Sequence, residues 1–206
     1  MDQYKISRNT VRQAIDILVQ EGLLHRDHGY GTYVSNLETN FHYKLNNFIE
    51  NNTLLKRAGY VPSVKTLSTD LIFPDEKLCK MLEISSSDQV ICFTKLFYAN
   101  DRPAMYTQDF IAKSLAKSAF EQSGGGEAYL DYLEKITGIR VEHVLIDIVL
   151  REVDEAIAAL FNCPTETTVM VFEETFLDNT QRIPIAYSHN YFNREVLSFR
   201  LLTSCC

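Results

Sequence analysis

The feature that most restricts the fold is an order of structural signals that this chain spells twice. The stretch SVKTLSTDLIFPDEKLCKMLEISSSDQVICFTKLFYANDRPAMYTQDFI is followed, after a helical interval, by VEHVLIDIVLREVDEAIAALFNCPTETTVMVFEETFLDNTQRIPIAYSHNYF. Each reads as a strand, an Asp-capped helix, a second strand, a turn, an Arg-Pro or Arg-x-Pro step and a third strand. Asp75 opens a helix carrying Leu78, Met81 and Leu82, and Asp154 opens one carrying Ile157, Leu160 and Phe161. Such a duplication predicts pseudo-symmetric halves that share one mostly antiparallel sheet with flanking helices, an α+β architecture.

The individual elements follow from periodicity and turn chemistry. Phe48, Ile49, Leu54 and Leu55 mark a helix that ends at Gly59-Tyr60, and Pro62 opens a strand whose inward positions slip phase near Ser68. Val90 to Tyr98 and Ala104 to Ile111 flank the turn Asn100-Asp101, while Thr168 to Leu177 and Ile183 to Phe192 flank Asp178-Asn179. Val141 to Val153 reads as one long strand. Two helices are expected near Ser114–Phe120 and Ala128–Ile136, joined by Ser123-Gly124-Gly125-Gly126, which is either a plain connection or a phosphate cradle.

Upstream lies a different unit. From Tyr4 to Val34 the chain runs YKISRNTVRQAIDILVQEGLLHRDHGYGTYV. Ser7 is an N-cap; Val11, Ala14, Ile15 and Leu18 form an apolar stripe, and Gly22 stops the helix. A small hairpin follows, turning at His28-Gly29-Tyr30-Gly31. By composition this could be an ordinary core helix and hairpin. Against that, Arg8, Asn9, Thr10 and Arg12 crowd the first turns, where free amides and the helix dipole favour phosphate. Asn and Arg are also side chains able to read base edges bidentately.

This stretch resembles the recognition helix and wing of GntR-type winged helix-turn-helix repressors, with their SR-x-TVR-x-A-x-x-L-x-x-EGL and G-x-GT-[FY]-V patterns. The resemblance implies DNA-binding roles for Ser7, Arg8, Asn9, Thr10, Arg12, His28, Gly29, Tyr30 and Gly31. Members of that family carry about two further helices upstream, so residues 1–36 are expected to be a truncated reader that binds DNA poorly by itself. The duplicated stretch in residues 37–206 resembles the UTRA effector-binding module of the HutC subfamily, which shares the chorismate lyase fold. Together they imply a cytoplasmic, homodimeric, ligand-responsive repressor acting on operator DNA. Two alternatives stand beside it: a chorismate lyase-like enzyme, and a DNA-binding dimer that answers to no effector.

Composition limits the other classes. The net charge is −7, yet residues 1–36 balance Lys5, Arg8, Arg12 and Arg26 against Asp2, Asp16, Glu21 and Asp27. The acidic excess therefore lies wholly in the second unit, which argues against nucleic-acid binding there. No apolar run is long enough for a membrane span, no leader opens the chain, and no metal-ligand spacing or cofactor motif is found. The five cysteines, Cys205-Cys206 included, fit reduced thiols better than a disulfide framework.

The effector pocket is placed by the same resemblance. Sensors of phosphosugars carry Arg-rich strands and a late Glu and Tyr; the matching positions here hold Thr94, Lys95, Phe97, Glu127, Ala186 and Phe192. With Tyr106 and Tyr187 added from neighbouring strands, the expected pocket residues are Lys95, Phe97, Tyr106, Glu127, Tyr187 and Phe192. Aromatic residues on strands are equally at home in a core. Lys95 as the one remaining cation predicts a small, partly apolar organic anion, unless it pairs across the hairpin with Asp109.

Overall fold

The computed structural model describes residues 7–20, 24–27, 29–34, 48–117, 128–179 and 183–199. The chain divides into two compact units, Met1–Asn40 and Phe41–Cys206. In the first, helix α1 (Arg8–Gln20) precedes a hairpin of β1 (Leu24–Asp27) and β2 (Gly31–Val34). Ser7 caps α1, its Oγ accepting from the Thr10 amide at 3.1 Å. The hairpin register runs from Leu24 opposite Val34 to Asp27 opposite Gly31. Gly31, at φ +127°, has a backbone conformation that side-chain-bearing residues rarely adopt.

The second unit is built on one six-stranded sheet in the order β3-β4-β5-β8-β7-β6. The first half supplies β3 (Pro62–Ile72), α3 (Glu76–Leu82), β4 (Val90–Ala99) and β5 (Arg102–Ala112). The second supplies β6 (His143–Glu152), α5 (Glu155–Phe161), β7 (Thr168–Leu177) and β8 (Pro184–Phe192). All pairings are antiparallel, and the halves meet where β5 pairs with β8. The duplication reaches the caps. Asp75 accepts from the Leu78 amide at 2.7 Å, and Asp154 from the Ile157 amide at 2.8 Å. Both helices then end on a left-handed residue, Glu83 at φ 53° and Asn162 at φ 53°. Asp154→Ala is expected to cost about 1 kcal/mol of unfolding free energy, measurable by urea denaturation.

The strand phase slip near Ser68 is real: the β3–β4 register shifts between Thr66 and Ser68. The Asn100-Asp101 turn takes positive φ at both residues, 48° and 66°, the geometry of a two-residue hairpin connection. One element differs from expectation. Ser114 lies in a three-residue 3-10 turn, Lys113–Leu115, rather than in an α-helix. Lys117 then donates its amide to the Ile136 carbonyl at 2.8 Å, an extended contact with the end of α4 (Tyr129–Thr137) that a continuing helix could not make. Residues 118–127, with the Gly124–Gly126 loop, lie outside the described residues.

Period-two alternation sorts the sheet into two covered faces. On one, α2 (Asn51–Arg57) and α4 (Tyr129–Thr137) lie over Phe93, Phe97, Phe172, Phe176 and Phe192. On the other, α3 and α5 cover Leu96, Phe110, Val171, Tyr187 and Tyr191. Polar residues interrupt the apolar pattern of both faces, Lys95, Asp109 and Glu174 on the first and Glu173 on the second.

Candidate functional site: a reader and a charged cleft

In the first unit, the side chains of Ser7, Arg8, Asn9, Thr10 and Arg12 are all exposed at the start of α1. Unpaired amides there favour an anion, and two guanidinium groups within one turn suit phosphates or base edges. Gly29, Tyr30 and Gly31 form the exposed hairpin tip, with Tyr30 83% exposed. The Tyr33 hydroxyl donates to the Tyr30 carbonyl at 2.8 Å and braces that tip. Arg26, on the hairpin, is held against α1 by Asp16 at 2.6 Å. His28 lies outside the described residues.

In the second unit, the α2/α4 face of the sheet opens into a cavity of about 190 Å³. Its floor follows from strand register. Asp109 on β5 lies opposite Ser188 on β8, which lies opposite Glu174 on β7, so the three share a face. Lys95 on β4 is two residues from Phe93, the partner of Asp109, and therefore points the same way. Asn190 continues the row along β8. The walls come from the segment before α2 (Phe48, Glu50), from α2 itself, and from Tyr129 and Tyr132 on α4.

Each buried charge here has an identifiable environment. Lys95, 7% exposed, donates to Asp109 Oδ2 at 3.2 Å, and Ser188 Oγ donates to Asp109 Oδ1 at 2.7 Å. The Lys95 ammonium also stands 5.2 Å from the Tyr129 ring centre, 5.8 Å from Phe93 and 5.9 Å from Tyr132. Glu50 reaches across to the start of α4, accepting from the amides of Tyr129 and Leu130 at 3.0 Å each. It satisfies two donors that the helix leaves open. Burial nonetheless raises the Glu50 carboxyl, with Asp109 adding to the effect. Glu174 is pushed up to about 8 by burial and by the charge of Asp109, so it holds its proton at neutral pH.

The opposite face carries a separate and fully paired network. Glu173 accepts from Lys77 at 2.6 Å, from the Tyr187 hydroxyl at 2.7 Å and from Arg151. Burial pulls this carboxyl upward, but those donors outweigh it and hold the group down at about 2. Glu173 and Glu174, adjacent in sequence, thus serve opposite faces with opposite protonation.

The expected pocket residues separate accordingly. Lys95 and Phe97 line the cleft. Phe192 faces the same side but is packed into the core against Phe172, with ring centres 4.7 Å apart. Tyr106 and Tyr187 lie on the α3/α5 face, Tyr106 against Tyr191 and Tyr187 against Phe110. They sit at the wrong parity for the cleft, since side chains alternate along a strand. Glu127 lies outside the described residues. Of the two readings of Lys95, the pairing across the hairpin with Asp109 is the one present, at 3.2 Å. Asn190, Glu174 and Glu50 were missed by sequence reasoning. The available signal for the first two was a polar residue at core parity within an otherwise apolar strand.

Comparison with known proteins decides the family. The model of the UTRA domain matches residues 57–197, and that of the bacterial regulatory proteins of the gntR family matches residues 1–34. The chain belongs to the UTRA family. The UTRA chain is 32% identical over 141 residues to the HTH-type transcriptional repressor NagR of Bacillus subtilis, a match covering 68% of this chain and 56% of the repressor. It therefore spans about half the length of that curated relative. Among solved structures, a possible transcriptional regulator, YydK of Bacillus subtilis, superposes with a TM-score of 0.73 at 18% identity, covering 99% of this chain and 86% of the other. PhnF of Mycobacterium smegmatis gives 0.69 at 16% identity, with 100% and 88% covered. These similarities establish the fold of the UTRA unit. No helix among the described residues is long and apolar enough to cross a membrane.

Proposed function

We propose that the protein is an effector-responsive transcriptional repressor of the HutC type, binding operator DNA as a homodimer through a complete winged helix of which residues 1–36 are part, and sensing a small molecule with residues 37–206. The observation that carries this reading is the cleft itself. A central strip of Lys95, Asp109, Ser188, Glu174 and Asn190 is set into an otherwise apolar sheet face beneath two helices. Burying so many polar groups opposes stability unless partners satisfy them. A cleft whose lining includes Lys95, Asp109, Glu174 and Asn190 is suited to recognising a ligand. The Ser-capped, Arg-bearing helix and glycine-tipped hairpin of the first unit supply the reader. Effector binding then shifts the populations of conformations that present two readers at the operator's half-site spacing.

The reader is tested by substitution in the full-length protein. Arg8→Ala and Arg12→Ala are each expected to weaken operator binding by roughly 1–3 kcal/mol if they meet base edges. A gel-shift titration at fixed salt reads this directly. Undiminished affinity in both variants would remove α1 from the interface.

A further inference from the structure

The α3/α5 face has an opening of its own, apart from the cleft. A cavity of about 170 Å³ lies between the β3–α3 turn and β8, walled by Phe73, Leu78, Phe110, Tyr187 and His189. A cavity of about 150 Å³ with apolar walls takes up benzene, so this one has room for a single ring. Phe73, at its margin, is 67% exposed. The two charged residues of the wall, Lys77 and Asp75, are opposite in sign, and each is engaged, Lys77 with Glu173 and Asp75 with the Leu78 amide.

The hydrogen bonds beside this cavity run in one direction only. Tyr187 gives its one hydroxyl hydrogen to Glu173 at 2.7 Å, and Glu173, held at about 2, is ionised and only accepts. The Tyr187 oxygen is therefore the acceptor towards His189 Nε2, 3.2 Å away. That nitrogen carries the hydrogen of a neutral ring, since burial and the nearby Arg151 push the imidazole down to about 4. Nδ1 is left as an acceptor, and no described residue donates to it. An open acceptor on a half-buried ring in a cavity wall is completed by a donor from outside.

The duplication supplies an internal control. On this face a polar row, Ser68-Thr94-Gln108-His189-Glu173-Asp147, crosses all six strands. The pseudo-two-fold axis passes through its centre and exchanges Gln108 with His189, Thr94 with Glu173 and Ser68 with Asp147. Counted from the caps Asp75 and Asp154, it also matches Lys77 to Ala156 and Phe73 to Glu152. One half of the fold thus closes around Tyr106 with Ser, Thr, Gln and Ala. The charged relay around Tyr187, the matching tyrosine, is an addition that packing does not require.

We infer that this cavity is a second small-molecule site, separate from the cleft, and that it takes an uncharged aromatic ring bearing one hydroxyl or ring N–H. The ligand's hydrogen goes to His189 Nδ1, and its ring packs against Phe73 and Phe110. Glu173 and Tyr187 are positioning residues. Together they fix the His189 tautomer, and Lys77 and Arg151 keep Glu173 ionised for that purpose.

Calorimetry on the full chain at neutral pH, with phenol, anisole and benzoate, tests this. Phenol is expected to bind at least roughly tenfold more tightly than the other two, which have no hydrogen to give Nδ1. His189→Phe, which keeps a ring and removes the nitrogen, is expected to bring phenol down to the level of anisole. Imidazole nitrogen NMR on the wild type gives a reading that needs no variant: phenol, and not anisole, should shift the His189 Nδ1 resonance. Thr53→Trp, an exposed change at the mouth of the cleft, should leave phenol binding unchanged. Equal binding of phenol and anisole, benzoate as the tightest ligand, or no heat from phenol up to about 10 mM would overturn the inference. So would an unmoved Nδ1 resonance, undiminished phenol binding in His189→Phe, or its loss in Thr53→Trp.

Discussion

Phe176→Ala is expected to lose about 3–5 kcal/mol of stability, one of the two largest losses among substitutions near the cleft. Phe176 is 0% exposed at the base of the α2/α4 face. Its ring packs edge-on against Phe48, with centres 5.6 Å apart, and against Tyr129 at 5.1 Å. Removing it leaves a void beneath the residues that wall the cavity, and a close-packed interior closes such voids only in part. Urea denaturation followed by circular dichroism measures the loss. An effect below about 1 kcal/mol would mean that α4 can settle into the space. Phe176→Leu should recover much of the stability, because most of the lost volume returns.

Lys95→Met is the second large effect, and it acts through charge. Its methylene chain is replaced, but Asp109, 5% exposed, is left without its cation and, among the described residues, with Ser188 as its side-chain donor. Breaking a buried pair from one side costs about 3–5 kcal/mol. The double variant Lys95→Met/Asp109→Leu removes both charges together, and most of the deficit should vanish in it. A double-mutant cycle by chemical denaturation reads the coupling. A cycle showing additive losses would indicate that Lys95 stabilises the fold through its aromatic contacts and not through Asp109.

Much of the fold was legible because it depends on patterns that a sequence displays. Asp75 and Asp154 each stand before an amphipathic helix, and each makes the cap its position implies. The phase slip near Ser68 marked a true register shift. The repeated order of strands and helices implied one shared sheet, and the described residues of the second unit form a single sheet. The cleft was less legible. Lys95 and Phe97 were reached by resemblance, but Tyr106 and Tyr187 belong to the other face, because parity along β5 and β8 is fixed only once the register is known. Glu50 could not be foreseen as a cleft residue. Its contacts are with Tyr129 and Leu130, some 80 positions away, and no local pattern announces a bond of that range. Nor could sequence alone assign opposite roles to Glu173 and Glu174. Their neighbours Lys77, Arg151 and Asp109 come from three different strands and helices.

The central claim is that occupancy of the cleft sets DNA affinity. Fluorescence anisotropy tests it most directly: a labelled duplex, selected from a random pool by the full-length protein, is titrated with that protein at fixed salt. The titration is made with and without a saturating amount of a small molecule selected by the rise it causes in the protein's melting temperature. Occupancy is expected to change the affinity by roughly 5-fold or more, the range typical of coupled sites. An affinity that stays the same when the wild-type cleft is filled would contradict the account.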